Sequence, residues 1–178
     1  MIKVIQELPV NVRPGSVGDS GISIYYLNKD KYSRTVCAVL AAAKKRIRVT
    51  MFGVSAQYRK TDRLHNSVYH ALVRAAELGV TCQAVLSEYG PYATNKNFNY
   101  QASQGLIEAG CKIRWARRSA LLHQKQIIVD DHIVIIGSHN IGQSSITRNR
   151  DVSVLIDSKD FASIAMKEFQ YCWTNGYK

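Results

Sequence analysis

The sequence has no long hydrophobic run. Its longest apolar stretches, residues 36–43 and 133–136, fall well short of the ~18 residues a membrane-spanning helix needs. No stable membrane insertion is expected. The opening MIKVIQELPVNVRPG lacks an unbroken apolar segment, because Lys3, Gln6 and Glu7 interrupt it, so no secretory signal is read and a cytoplasmic location is expected. Cysteine is sparse: Cys37, Cys82, Cys111 and Cys172 are scattered with no C-x-x-C pair. That spacing argues for free thiols and against a disulfide framework or a structural zinc site. Acidic residues are also few, 13 against 24 Lys+Arg, which leaves a formal charge of +11. Such an excess favours a polyanionic partner, nucleic acid or an acidic surface.

What remains is an ordinary globular composition. The chain has 178 residues, 46% of them hydrophobic and 21% charged. That length suits one domain and buries about 70% of the unfolded surface without metal or disulfide staples. There is no internal repeat and no low-complexity segment.

Residues 1–20, with Pro9, Pro14, Gly15 and Gly18, read as an irregular N-terminal arm, and residues 21–178 as a single domain. Within that domain strand-like runs alternate with helical patterns. Ile22–Leu27 reads as a strand, and Asp30 as the cap of a helix over 32–45 whose Val36, Val39, Leu40 and Ala43 share a face. A β-rich run at 47–52 precedes a helix at 62–78 stopped by Gly79. A strand follows at 80–86, then a polar loop at 87–99, a short helix at 100–109 and a strand at 111–115. The pattern then changes: runs at 121–129 and 133–136, split by Asp130-Asp131-His132, read as a hairpin. A short helix near 141–146, a strand at 152–156 and a helix at 159–173 close the chain. Strand–helix alternation interrupted by a hairpin implies an α/β sandwich on a mixed sheet.

The stretch HQKQIIVDDHIVIIGSHN, residues 123–140, concentrates polar groups that could act together. Side chains alternate across a strand, so His123 and Lys125 project from one face while Asp130 has the opposite parity. Asp130 therefore reads as a turn cap. Gly137 and Ser138 end the paired strand, where a turn and a small side chain let an oxyanion approach. Asn140 can aim its amide at the same place. An imidazole able to act as nucleophile or acid–base, beside an ammonium, an amide and a hydroxyl, makes a phosphate site.

The spacing His123-x-Lys125-x4-Asp130-x6-Gly137-Ser138-x-Asn140 resembles the H-x-K-x4-D-x6-G-S-x-N signature of the phospholipase D superfamily. Six specified positions match by chance on the order of once in a million at average composition. The chain from Ile22 to Tyr177 is similar to the small single-motif bacterial endonucleases of that superfamily, including the closing aromatic segment FQYCWTNGY. The resemblance implies a phospholipase D-like α/β/α sandwich, its mixed sheet flanked by helices. It implies that His123 is a nucleophile forming a covalent phosphohistidine, that Lys125 and Asn140 hold the non-bridging oxygens, and that Ser138 supports them. Asp130 and Gly137 become structural. An acidic residue after the motif orients the imidazole in such proteins, and Asp151 is its counterpart here, where Glu is usual. Larger members carry the motif twice. This chain carries it once, which implies a homodimer with His123 of both subunits facing each other, one attacking and one protonating the leaving group. Neither a metal nor any other cofactor is required.

Simpler readings exist for several of these residues. Asn140 could cap the following helix. Asp151 could pair with Arg148 or Arg150 alone. His123, His132 and His139 with Asp131 match no common zinc spacing. Arg117 and Arg118, before the motif, and Arg148 and Arg150, after it, are candidates for gripping flanking phosphates. Lys44-Lys45-Arg46 reads as surface charge at a helix end. Tyr89, Tyr92, Phe98 and Tyr100 sit in the polar loop, where they could stack on bases. A metal-independent nuclease acting on DNA or RNA is therefore the expected function. The alternatives are a hydrolase of anionic phospholipids, which would want an apolar lip that is not visible, a nucleic-acid-binding module, or the catalytic part of a larger restriction or repair enzyme.

Overall fold

The architecture comes from a computed structural model that describes residues 2–5, 22–56, 67–88, 98–116 and 121–178. The alternating pattern becomes strands β1 (Ile2–Ile5), β2 (Ile22–Leu27), β3 (Arg46–Met51), β4 (Thr81–Leu86), β5 (Lys112–Trp115), β6 (Lys125–Val129), β7 (Ile133–Gly137) and β8 (Ser153–Asp157). The helices are α1 (Lys29–Ala42), α2 (Ser67–Glu77), α3 (Phe98–Glu108), α4 (Gln143–Thr147) and α5 (Lys159–Asn175). The eight strands among the described residues form one sheet, in the order β1-β2-β8-β7-β6-β3-β4-β5. The β3–β4–β5 side is parallel, as is β1–β2, whereas β3–β6, β6–β7, β7–β8 and β8–β2 are antiparallel. The sheet is mixed, as the interrupted alternation implied.

Strand β6 shows why the sheet lies in the middle. Its five residues, KQIIV, are buried throughout. Ile127 and Val129 join the core beneath α1, α2 and α3, while Ile128 faces the opposite core, built with Phe169 and Ala165 of α5. Adjacent residues on a strand point to opposite faces, so a continuous apolar run requires cover on both sides. Each such isoleucine removed from water contributes about 1.5–3 kcal/mol. The result is the three-layer α/β/α sandwich.

Several boundaries differ from the sequence reading, each for a local reason. Ile2–Ile5 is not irregular: it pairs in parallel with β2, with Ile2 opposite Ile22 and Ile5 opposite Tyr25. The prolines and glycines that marked the arm all follow this alternating IKVI segment. The rest of the arm, residues 6–21, lies outside the described residues, as do 57–66, where the second helix was expected to begin. Helix α1 starts one turn earlier than expected, because Asn28 caps it by accepting from the Lys31 N–H at 3.4 Å, not Asp30. Phe98 and Tyr100 belong to α3, while Tyr89 and Tyr92 lie outside the described residues. The four cysteines are free, and burial pushes the Cys82 and Cys111 thiols up to about 11 and about 12.

Helix α1 also stops before Lys44, and Asp130 is the reason. Its carboxylate accepts the backbone N–H groups of Lys44 and Lys45, both at 2.7 Å, and of Arg46 at 2.9 Å. The residue expected to cap its own turn instead fastens the α1–β3 connection to the β6–β7 hairpin. Asp130 and Asp131 both adopt positive φ, 49° and 62°, a backbone that short polar side chains tolerate. Burial raises the Asp130 pKa, but the three N–H donors outweigh it and hold the carboxyl below its ordinary value. A depressed folded pKa contributes stability above the unfolded pKa, and that contribution fades as pH falls through the folded one. Asp130→Ala should therefore lower stability by about 1–3 kcal/mol at pH 7. Urea unfolding should show the gap to the unsubstituted protein narrowing as pH falls below the ordinary aspartate range, and a gap constant with pH would contradict the assignment.

Candidate active site

Sheet register delivers the motif residues to one edge. Met51 of β3 lies opposite Lys125 of β6, and Gly137 of β7 lies opposite Ser153 of β8. The Gln126–Ile136 pair sets Lys125 level with Gly137. At this edge β3, β4 and β7 end while β6 and β8 begin. The site is thus assembled from these five strand ends and the turns that leave them.

His123 lies in the extended segment just before β6, which starts at Lys125 and not at residue 121. It is exposed, and its ring packs against Phe52 with centroids 4.6 Å apart and planes tilted by 58°. Lys125 is only 8% exposed. Its Nζ donates to the His123 carbonyl at 2.6 Å and sits 4.8 Å from the centroid of the same Phe52 ring. Burial lowers the Lys125 pKa while the charge of Asp151 raises it, with burial prevailing. His123 and Lys125 are thus brought together around one aromatic ring.

The second half of the site is held by a chain of hydrogen bonds. Ser138 Oγ donates to Asp151 Oδ1 at 2.8 Å and accepts from the Val152 N–H at 3.0 Å. Asn149 Nδ2 donates to Asp151 Oδ2 at 3.0 Å. Burial raises the Asp151 pKa, but donors from Ser138, Asn149 and Ser145 and the nearby His139 together hold it below the ordinary range. These bonds do not extend to the His123 imidazole. In this structure the Asp151 carboxylate is bonded to Ser138 and Asn149. Asn140 does not cap α4, whose N-cap is Gly142. Its backbone N–H donates to Ser145 Oγ at 3.1 Å, and its buried side-chain oxygen finds no hydrogen-bond partner among the described residues.

Gly137 is required by packing. A Cβ there would collide with the Val152 carbonyl and with Ser153, so any side chain would push β7 and β8 apart. Arg148 caps the C-terminus of α4, and both it and Arg150 are exposed beside Asp151. Arg117 and Arg118 lie outside the described residues. The three histidines weighed as zinc ligands stay apart. His132 Nδ1 faces the Asp130 carbonyl at 3.0 Å, while His139 stacks flat on Tyr32 at 3.9 Å. Among the described residues no group of three or more His, Cys, Asp or Glu gathers to hold a metal.

Sequence reasoning missed three contributors. Phe52 supplies the ring shared by His123 and Lys125. His139, 1% exposed, bonds Ser153 Oγ through Nδ1 at 2.9 Å, and burial lowers its pKa against the opposing charge of Asp151. Asn99 shares the buried face of α3 with Ala102, Ser103 and Leu106. An asparagine in register with buried residues was the available signal, since an unpaired buried amide is costly. A cavity of about 300 Å³ opens beside His123, against Tyr171 and Cys172 of α5.

The fold and the edge site together define a phospholipase D-like domain. Residues 36–173 match the family model described as cardiolipin synthase, PLD-like domain, and the chain belongs to that family. Cardiolipin synthase A of Buchnera aphidicola is 29% identical over 107 residues, covering 58% of this chain and 22% of that protein. Minor cardiolipin synthase ClsB of Bacillus subtilis is 33% identical over 95 residues, covering 52% of this chain and 23% of that protein. The matches thus span less than a quarter of these relatives. Nuc from Salmonella typhimurium, a phospholipase D family member, superposes with a TM-score of 0.72 at 24% identity, covering 87% of this chain and 95% of that one. That likeness concerns the fold.

Gly137→Ala should destabilise the protein by about 1–3 kcal/mol in urea unfolding, the cost of overpacking. Amide exchange should quicken first along β7 and β8; uniform exchange or unchanged stability would contradict the close packing.

Proposed function

We propose that the chain is a metal-independent phosphodiesterase, most specifically a nuclease working through a phosphohistidine at a homodimer interface. The convergence of His123, Lys125, Ser138 and Asn140 at one sheet edge carries this reading. The His123 imidazole attacks phosphorus, forming a P–N bond as the P–O bond to the leaving group breaks. The ammonium of Lys125 and the amide of Asn140 hold the non-bridging oxygens, and Ser138, fixed by Asp151, lines the same cradle. Positive charge held in place here offsets the charge that develops on those oxygens. The leaving alkoxide takes a proton from the second subunit's copy of the histidine. That imidazole, now neutral, then accepts a proton from the water that cleaves the P–N bond, restoring both groups.

The +11 charge and the exposed Arg148 and Arg150 beside the site favour a nucleic-acid backbone over a neutral substrate. The similarity to cardiolipin synthases favours a second reading, cleavage or transfer at a phospholipid phosphodiester. No helix among the described residues is long and apolar enough to cross a membrane.

Labelled single-stranded DNA, duplex DNA, RNA and phosphatidylglycerol vesicles, each offered in excess EDTA, separate the readings. Cleavage of a nucleic acid is expected, falling steeply with salt and reduced at least about 1000-fold in His123→Ala. Lipid turnover alone would favour the second reading. Activity that EDTA abolishes and Mg²⁺ restores would contradict the mechanism. Sedimentation showing only monomer at micromolar concentration would contradict the shared site.

A further inference from the structure

Outside the motif, one buried side chain ties two strand ends together. Asn99, 0% exposed, donates through Nδ2 to the Phe52 carbonyl at 2.8 Å and to the Ser87 carbonyl at 2.7 Å. Its Oδ1 accepts from the Val54 N–H at 2.6 Å. Phe52 and Val54 lie just beyond β3, and Ser87 just beyond β4. The amide thus takes over where the β3–β4 ladder ends, and replaces main-chain pairing with side-chain bonds. On its other side, the Phe52 N–H donates to the Gln124 carbonyl at 2.9 Å. Phe52 is therefore gripped twice, by the segment carrying His123 and by Asn99.

That double grip fixes where the ring goes. It lies 4.6 Å from the His123 ring and 4.8 Å from Lys125 Nζ. An aromatic face attracts an ammonium, and the attraction strengthens as water is excluded. It also limits the rotation of an exposed imidazole to which no carboxylate among the described residues is hydrogen-bonded. The ring thus does for His123 what Asp151, bonded to Ser138, does not.

We infer that Phe52, held in place by Asn99, is a positioning residue that orients the His123 imidazole for attack and secures the Lys125 ammonium beside the phosphate. The inference rests on the phosphodiesterase reading and adds to it two residues from outside the motif. Asp151, from the segment before β8, also acts on Lys125 through its charge and favours the ammonium.

Phe52→Leu removes the ring and keeps an apolar side chain, Phe52→Tyr restores a ring, and Phe52→Met stands in if leucine impairs folding. Two readouts are needed: kcat and KM against pH on the cleaved substrate, and NMR titration of the Lys125 ammonium and the His123 ring without substrate. In Phe52→Leu, kcat should fall about tenfold with KM little changed. The alkaline limb of the profile and the Lys125 titration should both move to lower pH, and Phe52→Tyr should recover most of the loss. An unchanged kcat and Lys125 titration, or a change in KM alone, would overturn the inference. If the unsubstituted protein cleaves no phosphodiester, the functional reading fails while the NMR comparison still decides the placement. The same Lys125 and His123 titrations with and without the ring would then refute it.

Discussion

The antiparallel pairing of β6 with β7 is the constraint on which the rest depends. It sets Lys125 level with Gly137, and continued pairing on either side brings in Met51 and Ser153. A slip of one residue would turn every side chain of β6 to the other face, placing Gln126 where Lys125 stands and pulling Ile127 out of its core. The register is held at the far end by Asp130, whose carboxylate fastens the hairpin to the α1–β3 connection. At the near end, the lack of a side chain on Gly137 lets β7 and β8 close. The candidate site and the structural clasp are thus opposite ends of one hairpin.

Electrostatically the site is a compromise between burial and charge. Lys125 is largely withdrawn from water, which disfavours its ammonium. The His123 carbonyl, the Phe52 ring and the charge of Asp151 each favour it. Under the proposed function, a desolvated cation whose partners among the described residues are weak dipoles and a ring, not a direct carboxylate, is available to an incoming phosphate. Asp151 is kept ionised by its hydroxyl and amide donors, close enough to act on Lys125 but bonded to Ser138. The arrangement supplies fixed positive potential and donors where a phosphoryl group would gain charge.

Much of this was legible in the sequence because it rests on spacing. The apolar runs IIV and IVII, split by Asp130-Asp131-His132, identified the hairpin, the parity argument separated Asp130 from His123, and the alternation of strands and helices gave the layered sandwich. What was not legible depends on contacts between distant segments. Nothing near Asp130 announces that its carboxylate will meet residues 44–46, and helical periodicity carried α1 past the point where those bonds stop it. Asp151 was matched to a role by position, yet its carboxylate is bonded to Ser138 and Asn149. Phe52 looked like one more apolar residue at the end of a strand; only the sheet order, which puts β6 beside β3, makes it a neighbour of His123. Asn99 alone left a trace, as a polar residue in register with a buried helix face.

The central claim is that His123 becomes covalently bonded to phosphorus. Its most direct test is to mix the protein with a cleaved oligonucleotide in excess EDTA, quench at alkaline pH, where a phosphohistidine survives, and locate any adduct by peptide mass spectrometry. A nucleotide or phosphate adduct on His123, absent from His123→Ala, is the predicted result. Full turnover with no adduct, or an adduct on another residue, would contradict it.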